Sequence, residues 1–308
     1  MKILLTGGAG FIGSHVVDAL IEAGHQVVIV DNLTTGRTSN LNPMAKFYRL
    51  DIRSPEMREI FDVERPEIVD HHAAQVDVRR SVSDPLYDAD INIQGGIHLI
   101  QLCLEYGVRK FIYISSGGAV YGEPEYLPCD ESHPIHPLAP YGVSKYTLEM
   151  YLYLNRQVHG LDYTILRYGN VYGPRQDPNG EAGVVAIFTG KMLQDQTVKI
   201  NGSGEQERDF VYVGDCARAN LMVLEQASGQ IYNLASGEAV SINQLFSELK
   251  KITAYQKEPV YGPPKLGETF RIFLDASKAK SELGWQPLVS LEQGLIRTVE
   301  YFQKVELA

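Results

Sequence analysis

"KILLTGGAGFIGSH" (residues 2–15) joins a short apolar run to a glycine-rich turn and then to the start of an amphipathic stretch. Gly7, Gly10 and Gly13 bracket the turn. Without side chains there, backbone amides can approach a pyrophosphate, and the N-terminus of the following helix favours its negative charge. The next apolar run, "QVVIVDN" (residues 26–32), carries Asp31 at its end. That is the interval of roughly 20 residues at which a dinucleotide fold puts the acid that reads the ribose. A carboxylate there accepts hydrogen bonds from the ribose hydroxyls and repels a 2′-phosphate, so the two signals together predict NAD rather than NADP.

The same rhythm continues outward. "KFYRLDI", "EIVDHHAA" and "KFIYISS" are further short apolar runs, with helix-like segments between most of them. Runs without polar alternation suit strands covered on both faces, so the pattern predicts an α/β fold: a Rossmann-type, doubly wound parallel sheet. After about Tyr168 the regularity loosens, and "GPRQDPNGEAG" and "PVYGPPKLGE" read as turn-rich connections. Residues 1–168 with about 211–235 are expected to form the NAD-binding domain. Residues 169–210 and 236–308 are expected to form a smaller α/β region over its cleft.

Composition narrows the function. The 308 residues carry a net charge of −10 with no long basic stripe, which argues against a nucleic-acid partner. No apolar run approaches the roughly 20 residues of a membrane span, and the chain reads as cytoplasmic. Cys103, Cys129 and Cys216 are odd in number and lack metal-type spacing, so packing roles are expected and no metal is predicted.

"PYGVSK" (residues 140–145) sets Tyr141 and Lys145 four apart, behind a proline suited to a helix entry, so both share one helical face. A phenol is a poor base at neutral pH, but a neighbouring ammonium, a helix N-terminus and an oxidised nicotinamide all favour its phenolate. Ser115 and Ser116 close the preceding strand and lead into Gly117 and Gly118.

These residues, together with "HHAAQ", "DINIQG", "ISSGGAVYGEP", "LRYGNVYGPRQ", "GSGEQERDFVYVGDCARA" and "LDASKAKSELGW", are similar to the extended short-chain dehydrogenases/reductases. Within that NAD-dependent epimerase/dehydratase family the chain resembles the UDP-glucose (UDP-galactose) 4-epimerases. The resemblance implies a homodimer, for which "IHLIQLCLEYG" and "YTLEMYLYLNRQV" could supply the interface. It implies NAD contacts at Phe11, Ile12, Asp31, Asn32, Asp51, Ile52, Ala73, Ala74, Gln75, Asn92, Ser115, Tyr141, Lys145 and Tyr168, beside the three loop glycines.

The resemblance further implies that Tyr141 takes the proton of the hexose 4-hydroxyl as hydride passes from C4 to NAD, then returns it to the other epimer. Lys145 would hold the ribose and lower the phenol pKa. The family hydroxyl that bonds O4 falls at Gly117, which has none. The role is therefore assigned to Ser116, with Ser115 as fallback, and the glycines are expected to let the backbone bring the serine inward. Gly118 and Ala119 stand where dehydratases and decarboxylases carry carboxylates, which leaves epimerisation.

The diphosphate contacts implied are Asn170, Arg208 and Lys265, where lysine keeps the charge of the usual arginine without its fork. Val184, Val185, Ile200 and Asn201 are candidates to flank the uracil. Ile272 falls at the position limiting bulk near the hexose, which favours the glucose/galactose pair. Rival readings are a 4-epimerase of UDP-N-acetylglucosamine or UDP-glucuronate, and a non-catalytic NAD-sensing protein.

Overall fold

The apolar runs of the first half form six strands: β1 (Lys2–Thr6), β2 (Gln26–Asp31), β3 (Lys46–Arg49), β4 (Ile68–His71), β5 (Lys110–Ser116) and β6 (Asp162–Tyr168). The computed structural model describes residues 1–178, 183–264 and 269–306. A seventh strand, Gln230–Leu234, joins from the second half, and the sheet order is Gln230–Leu234, β6, β5, β4, β1, β2, β3. Every neighbouring pair is parallel. This is the doubly wound sheet expected from the sequence.

Alternation along the strands sorts side chains onto two buried faces. Ile3, Leu5, Ile29, Ile112 and Ile114 meet Val16, Val17 and Leu20 of the helix Phe11–Glu22, and Cys216 and Ala219 of the helix Val213–Met222. Leu4, Val28, Val69, Phe111 and Tyr113 meet Leu99 and Leu102 of the helix Gly95–Tyr106, and Leu148 and Leu152 of the helix Pro140–His159. Both latter helices end on glycines in the left-handed region, Gly107 (φ 69°) and Gly160 (φ 75°), which turns the chain back toward the next strand.

The strand order reverses between β1 and β4, so the loops leaving those strands diverge and open a crevice at their C-terminal ends. At its floor the two loops touch: a Cβ on Gly7 would lie 2.7 Å from the amide nitrogen of Ala73. The second half builds a separate apolar core around Tyr172, Phe188, Ile200, Phe246 and Leu295. A fourth cluster joins the turn after β5 to the C-terminal region through Val120, Tyr121, Cys129, Ala235, Ile272 and Leu274. Among the described residues no helix is long and apolar enough to cross a membrane. The three cysteines are buried and unpaired.

Candidate active site

The loop after β1 is shaped for an anion. Gly7 adopts φ +74°, where only glycine is unstrained, and its carbonyl accepts from Gly10 N at 3.0 Å. A Cβ on Gly13 would stand 2.3 Å from that same carbonyl oxygen. Helix Phe11–Glu22 starts there without a side-chain cap and without an acid in its first turn. The amides of Phe11 and Ile12 therefore face the crevice end of the helix, where no intrahelical acceptor exists.

Asp31 is buried at the end of β2, and its two oxygens accept from Ala9 N (3.0 Å) and Leu33 N (2.8 Å). One carboxylate thus ties the glycine loop to the chain after β2 and keeps lone pairs for a further donor. Next to it, Asn32 Nδ2 donates to Asp51 (2.9 Å). Hydrogen bonds from Arg53 hold the Asp51 carboxyl far below the usual carboxylate range. Ile52 is buried, and its carbonyl accepts from His98 Nδ1 at 2.8 Å.

The loop after β4 is held by a knot that sequence reading only half anticipated. Ala73 N donates to Thr6 Oγ1 (3.2 Å), and Ala74 and Gln75 continue along the crevice. Gln75 N donates to Asn92 Oδ1 (2.9 Å), and Asn92 Nδ2 reaches Gln75 O (3.0 Å), Asp88 Oδ1 (3.1 Å) and Ser144 Oγ (3.1 Å). Gln75 Nε2 also donates to Asp88 Oδ1 (2.9 Å). Asn92 lies in a π-helical turn, Asp90–Gln94, a local widening often found at functional positions. Asp88 carries no motif of its own, and Ser144, although inside PYGVSK, is not set apart by the Tyr141–Lys145 spacing, so only the fold brings these two to the site.

Tyr141 and Lys145 share the first turns of Pro140–His159 and face the end of β5. Lys145 Nζ donates to Ile114 O at 2.7 Å and lies 6.0 Å from the Tyr141 ring centroid. The Ser116 hydroxyl stands close enough to the Tyr141 phenol to favour its ionised form. Burial pushes the Tyr141 phenol up to about 12; the neighbouring Ser116 hydroxyl offsets part of this, and the Asp88 carboxylate adds to it. Burial likewise lowers the Lys145 ammonium to about 8, against the pull of the Asp88 and Glu149 carboxylates. In the chain alone the phenol is therefore the stable form at neutral pH, and the expected phenolate requires a further positive charge in the crevice. A pyridinium is such a charge.

The two serines part company. Ser115 falls on the Phe111 and Tyr113 face, and its hydroxyl donates to Glu149 at 2.5 Å. That turns it away from the crevice and removes it both as the fallback hydroxyl and as a side-chain cofactor contact. Glu149 pairs with Arg167 (Nη2–Oε2 2.5 Å) inside the protein, and Arg167 donates to Tyr121 OH (3.0 Å), which donates to Asn233 (2.7 Å). Tyr168 is also turned inward: its ring lies in the core, its hydroxyl accepts from Asn220 Nδ2 (2.6 Å), and only its main chain stands at the strand end. Neither Gly117 nor Gly118 has a positive φ, so conformational freedom is not why glycine stands there.

On the second half, Asn170 is exposed at the start of the strand Asn170–Tyr172, with its Oδ1 3.5 Å from where a Gly118 Cβ would be. Arg208 is partly buried and donates to Glu207 O (2.8 Å) and Phe270 O (3.3 Å). Val184 opens the helix Val184–Leu193 beside Val185, which is buried. Ile200 is buried in the C-terminal core, so its side chain is committed to packing, while Asn201 next to it is partly exposed. Ile272 is likewise buried, against Val120, Tyr121 and Leu274, and its side chain belongs to that cluster. Lys265 lies outside the described residues.

A profile of the NAD dependent epimerase/dehydratase family matches residues 3–235. The chain is 51% identical over 301 residues to a putative UDP-glucose 4-epimerase of Methanocaldococcus jannaschii, covering 98% of each. It superposes on the crystal structure of a UDP-glucose 4-epimerase with UDP-glucose from Thermotoga maritima with a TM-score of 0.98 and 54% identity, covering 99% of this chain and 100% of that one. The Thermus thermophilus UDP-glucose 4-epimerase complex with NAD matches with a TM-score of 0.94 and 41% identity, covering 98% and 99%.

Proposed function

Because the chain belongs to the NAD-dependent epimerase/dehydratase family, we propose that it is an NAD-dependent isomerase that interconverts UDP-glucose and UDP-galactose by inverting C4 of the hexose. The observation that carries this reading is the meeting of Tyr141 and Ser116 at the end of β5, one helical turn from the buried Lys145, whose Nζ donates to Ile114 O. The glycine cradle, the open amides at Phe11 and Ile12, and Asp31 fit NAD. The chemistry that NAD supplies when bound is reversible hydride transfer at C4.

The protein's share is positioning and proton transfer. Ser116 orients O4, and Tyr141 takes the proton of the 4-hydroxyl and later returns it to O4, after the 4-keto sugar has turned to present its other face. Lys145 supplies the positive charge that strengthens Tyr141 as an acid. The nucleoside diphosphate has to be held apart from the turning hexose, and Asn170 and Arg208 are the residues assigned to it, with Lys265 as a third. The division into a cofactor half (1–168 with about 211–235) and a sugar-nucleotide half (169–210 and 236–308) is supported by the separate apolar cores, except that Ala279, Leu283 and Trp285 pack into the core of the cofactor half.

A homodimer is supported by the outer face of Pro140–His159, where Val143, Met150, Leu154 and Val158 are exposed at helical spacing. The apolar residues of Gly95–Tyr106 are mostly buried within the subunit, so that helix contributes less than expected. Three buried free cysteines suit the reducing cytoplasm.

The test is incubation of the purified protein with UDP-galactose without added cofactor, reading UDP-glucose formed. Tyr141→Phe serves as control and is expected to lose about 10²- to 10⁴-fold. No UDP-glucose even after NAD is added, or faster turnover of UDP-N-acetylglucosamine or UDP-glucuronate, overturns the assignment.

A further inference from the structure

The space at position 117 is filled by a neighbour, and the backbone there does not require glycine. A Cβ built there would lie 2.4 Å from Leu274 Cδ1 and 3.4 Å from Tyr168 O. Leu274 thus occupies the space of the missing side chain. It has little freedom to leave, being 1% exposed within the cluster of Val120, Tyr121, Cys129, Ala235 and Ile272.

Its main chain is clamped as well. Leu274 N donates to Asp209 Oδ2 at 3.1 Å. The Asp209 carboxylate also takes Ser236 N (2.7 Å), Ser236 Oγ (2.6 Å) and Gly237 N (3.0 Å). The Asp209 carbonyl accepts from Asn170 N at 2.7 Å, and Asn170 in turn brings its amide up to Gly118. A segment of the second half is therefore packed directly on the turn that carries Ser116.

We propose that Leu274, held by Asp209, is a positioning residue for proton transfer. It braces the turn at Gly117 so that the Ser116 hydroxyl stays beside Tyr141, and by filling the space at 117 it confines the hydroxyl of the strand end to position 116. The inference rests on the epimerase reading above and adds to it the residue that decides which strand-end position does the work. A methyl group in van der Waals contact transmits position without touching substrate or cofactor. Loss of the brace therefore lowers kcat and leaves the grip on UDP alone.

The experiment uses the NAD-loaded enzyme, with UDP-galactose turnover of the wild type and Ser116→Ala measured first. An inactive wild type counts against the epimerase reading; an active one makes the remaining arms a test of Leu274. Leu274→Ala is expected to lose roughly 10- to 100-fold in kcat, with the Kd for UDP by calorimetry and the bound NAD absorbance unchanged. Leu274→Met, which refills the space, is expected to recover most of it.

Ser116→Ala combined with Gly117→Ser is expected to stay at the Ser116→Ala level. Adding Leu274→Ala to that pair is expected to raise turnover, because position 117 can then seat a hydroxyl. Unchanged kcat in Leu274→Ala, or recovery in the Ser116→Ala/Gly117→Ser pair with Leu274 intact, overturns the proposal. Equal loss of UDP affinity and kcat in Leu274→Ala also overturns it, because that is the mark of a structural role only.

Discussion

Lys145 Nζ donates to the carbonyl of Ile114 at 2.7 Å, one residue before the two serines of β5. This bond fixes the helix Pro140–His159 against the strand end one turn beyond Tyr141, so the lysine orients the helix as well as charging the site. Burial has brought its ammonium down to about 8. The charged form is therefore present below that pH and is lost as pH rises through it. We expect kcat/KM for UDP-galactose to fall above about pH 8, as read from a pH–rate profile. Lys145→Met should lose turnover at every pH and lack this alkaline limb.

Gly13→Ala tests the cofactor cradle. Its Cβ would meet the Gly7 carbonyl at 2.3 Å, a contact with backbone that cannot swing aside. The variant should lose bound NAD, read as the absorbance ratio of the purified protein, while the sheet beneath keeps its circular dichroism.

The buried pair Glu149–Arg167 anchors the same helix from below. Arg167→Met leaves an uncompensated carboxylate in the core and should cost about 3–5 kcal/mol in urea unfolding. Ser115→Ala removes one hydrogen bond from that carboxylate and should cost only about 1–2 kcal/mol. Glu149→Gln added to Arg167→Met should recover part of the larger loss, because the lone charge is gone.

Acid stability should depend on Glu64, at the edge of the sheet beside β3. Burial would raise its carboxyl, but donors on Lys46, Tyr48 and Lys2 bring it down to about 2. A carboxyl depressed in the folded state stabilises above its ordinary value of 4.5, and that contribution is lost as pH falls toward 2. The melting temperature of Glu64→Gln should accordingly fall less than that of the wild type between pH 5 and pH 2.5.

The exposed stripe on Pro140–His159 should make the dimer. Met150→Asp with Leu154→Lys puts charges on an apolar face that a partner would desolvate. Light scattering is expected to give a dimer for the wild type and a monomer for the double variant. An unchanged mass would show that this face is not the interface.

The features legible in the sequence are those set by neighbours along the chain. The glycine turn, Asp31 at the following strand end, the continuous apolar runs and the Tyr141–Lys145 spacing are each written within about one strand or one helical turn, so period and spacing alone reveal them. Contact between distant segments decided the rest. The two adjacent serines at the end of β5 could be told apart only once the sheet was closed: pleating sends Ser115 to Glu149, while Ser116 stands at the crevice beside Tyr141. The knot of Gln75, Asp88, Asn92 and Ser144 and the packing of Leu274 on Gly117 bring together residues with no shared local pattern. Burial moved the pKa values of Tyr141 and Lys145, and burial belongs to the assembled fold rather than to any stretch of it.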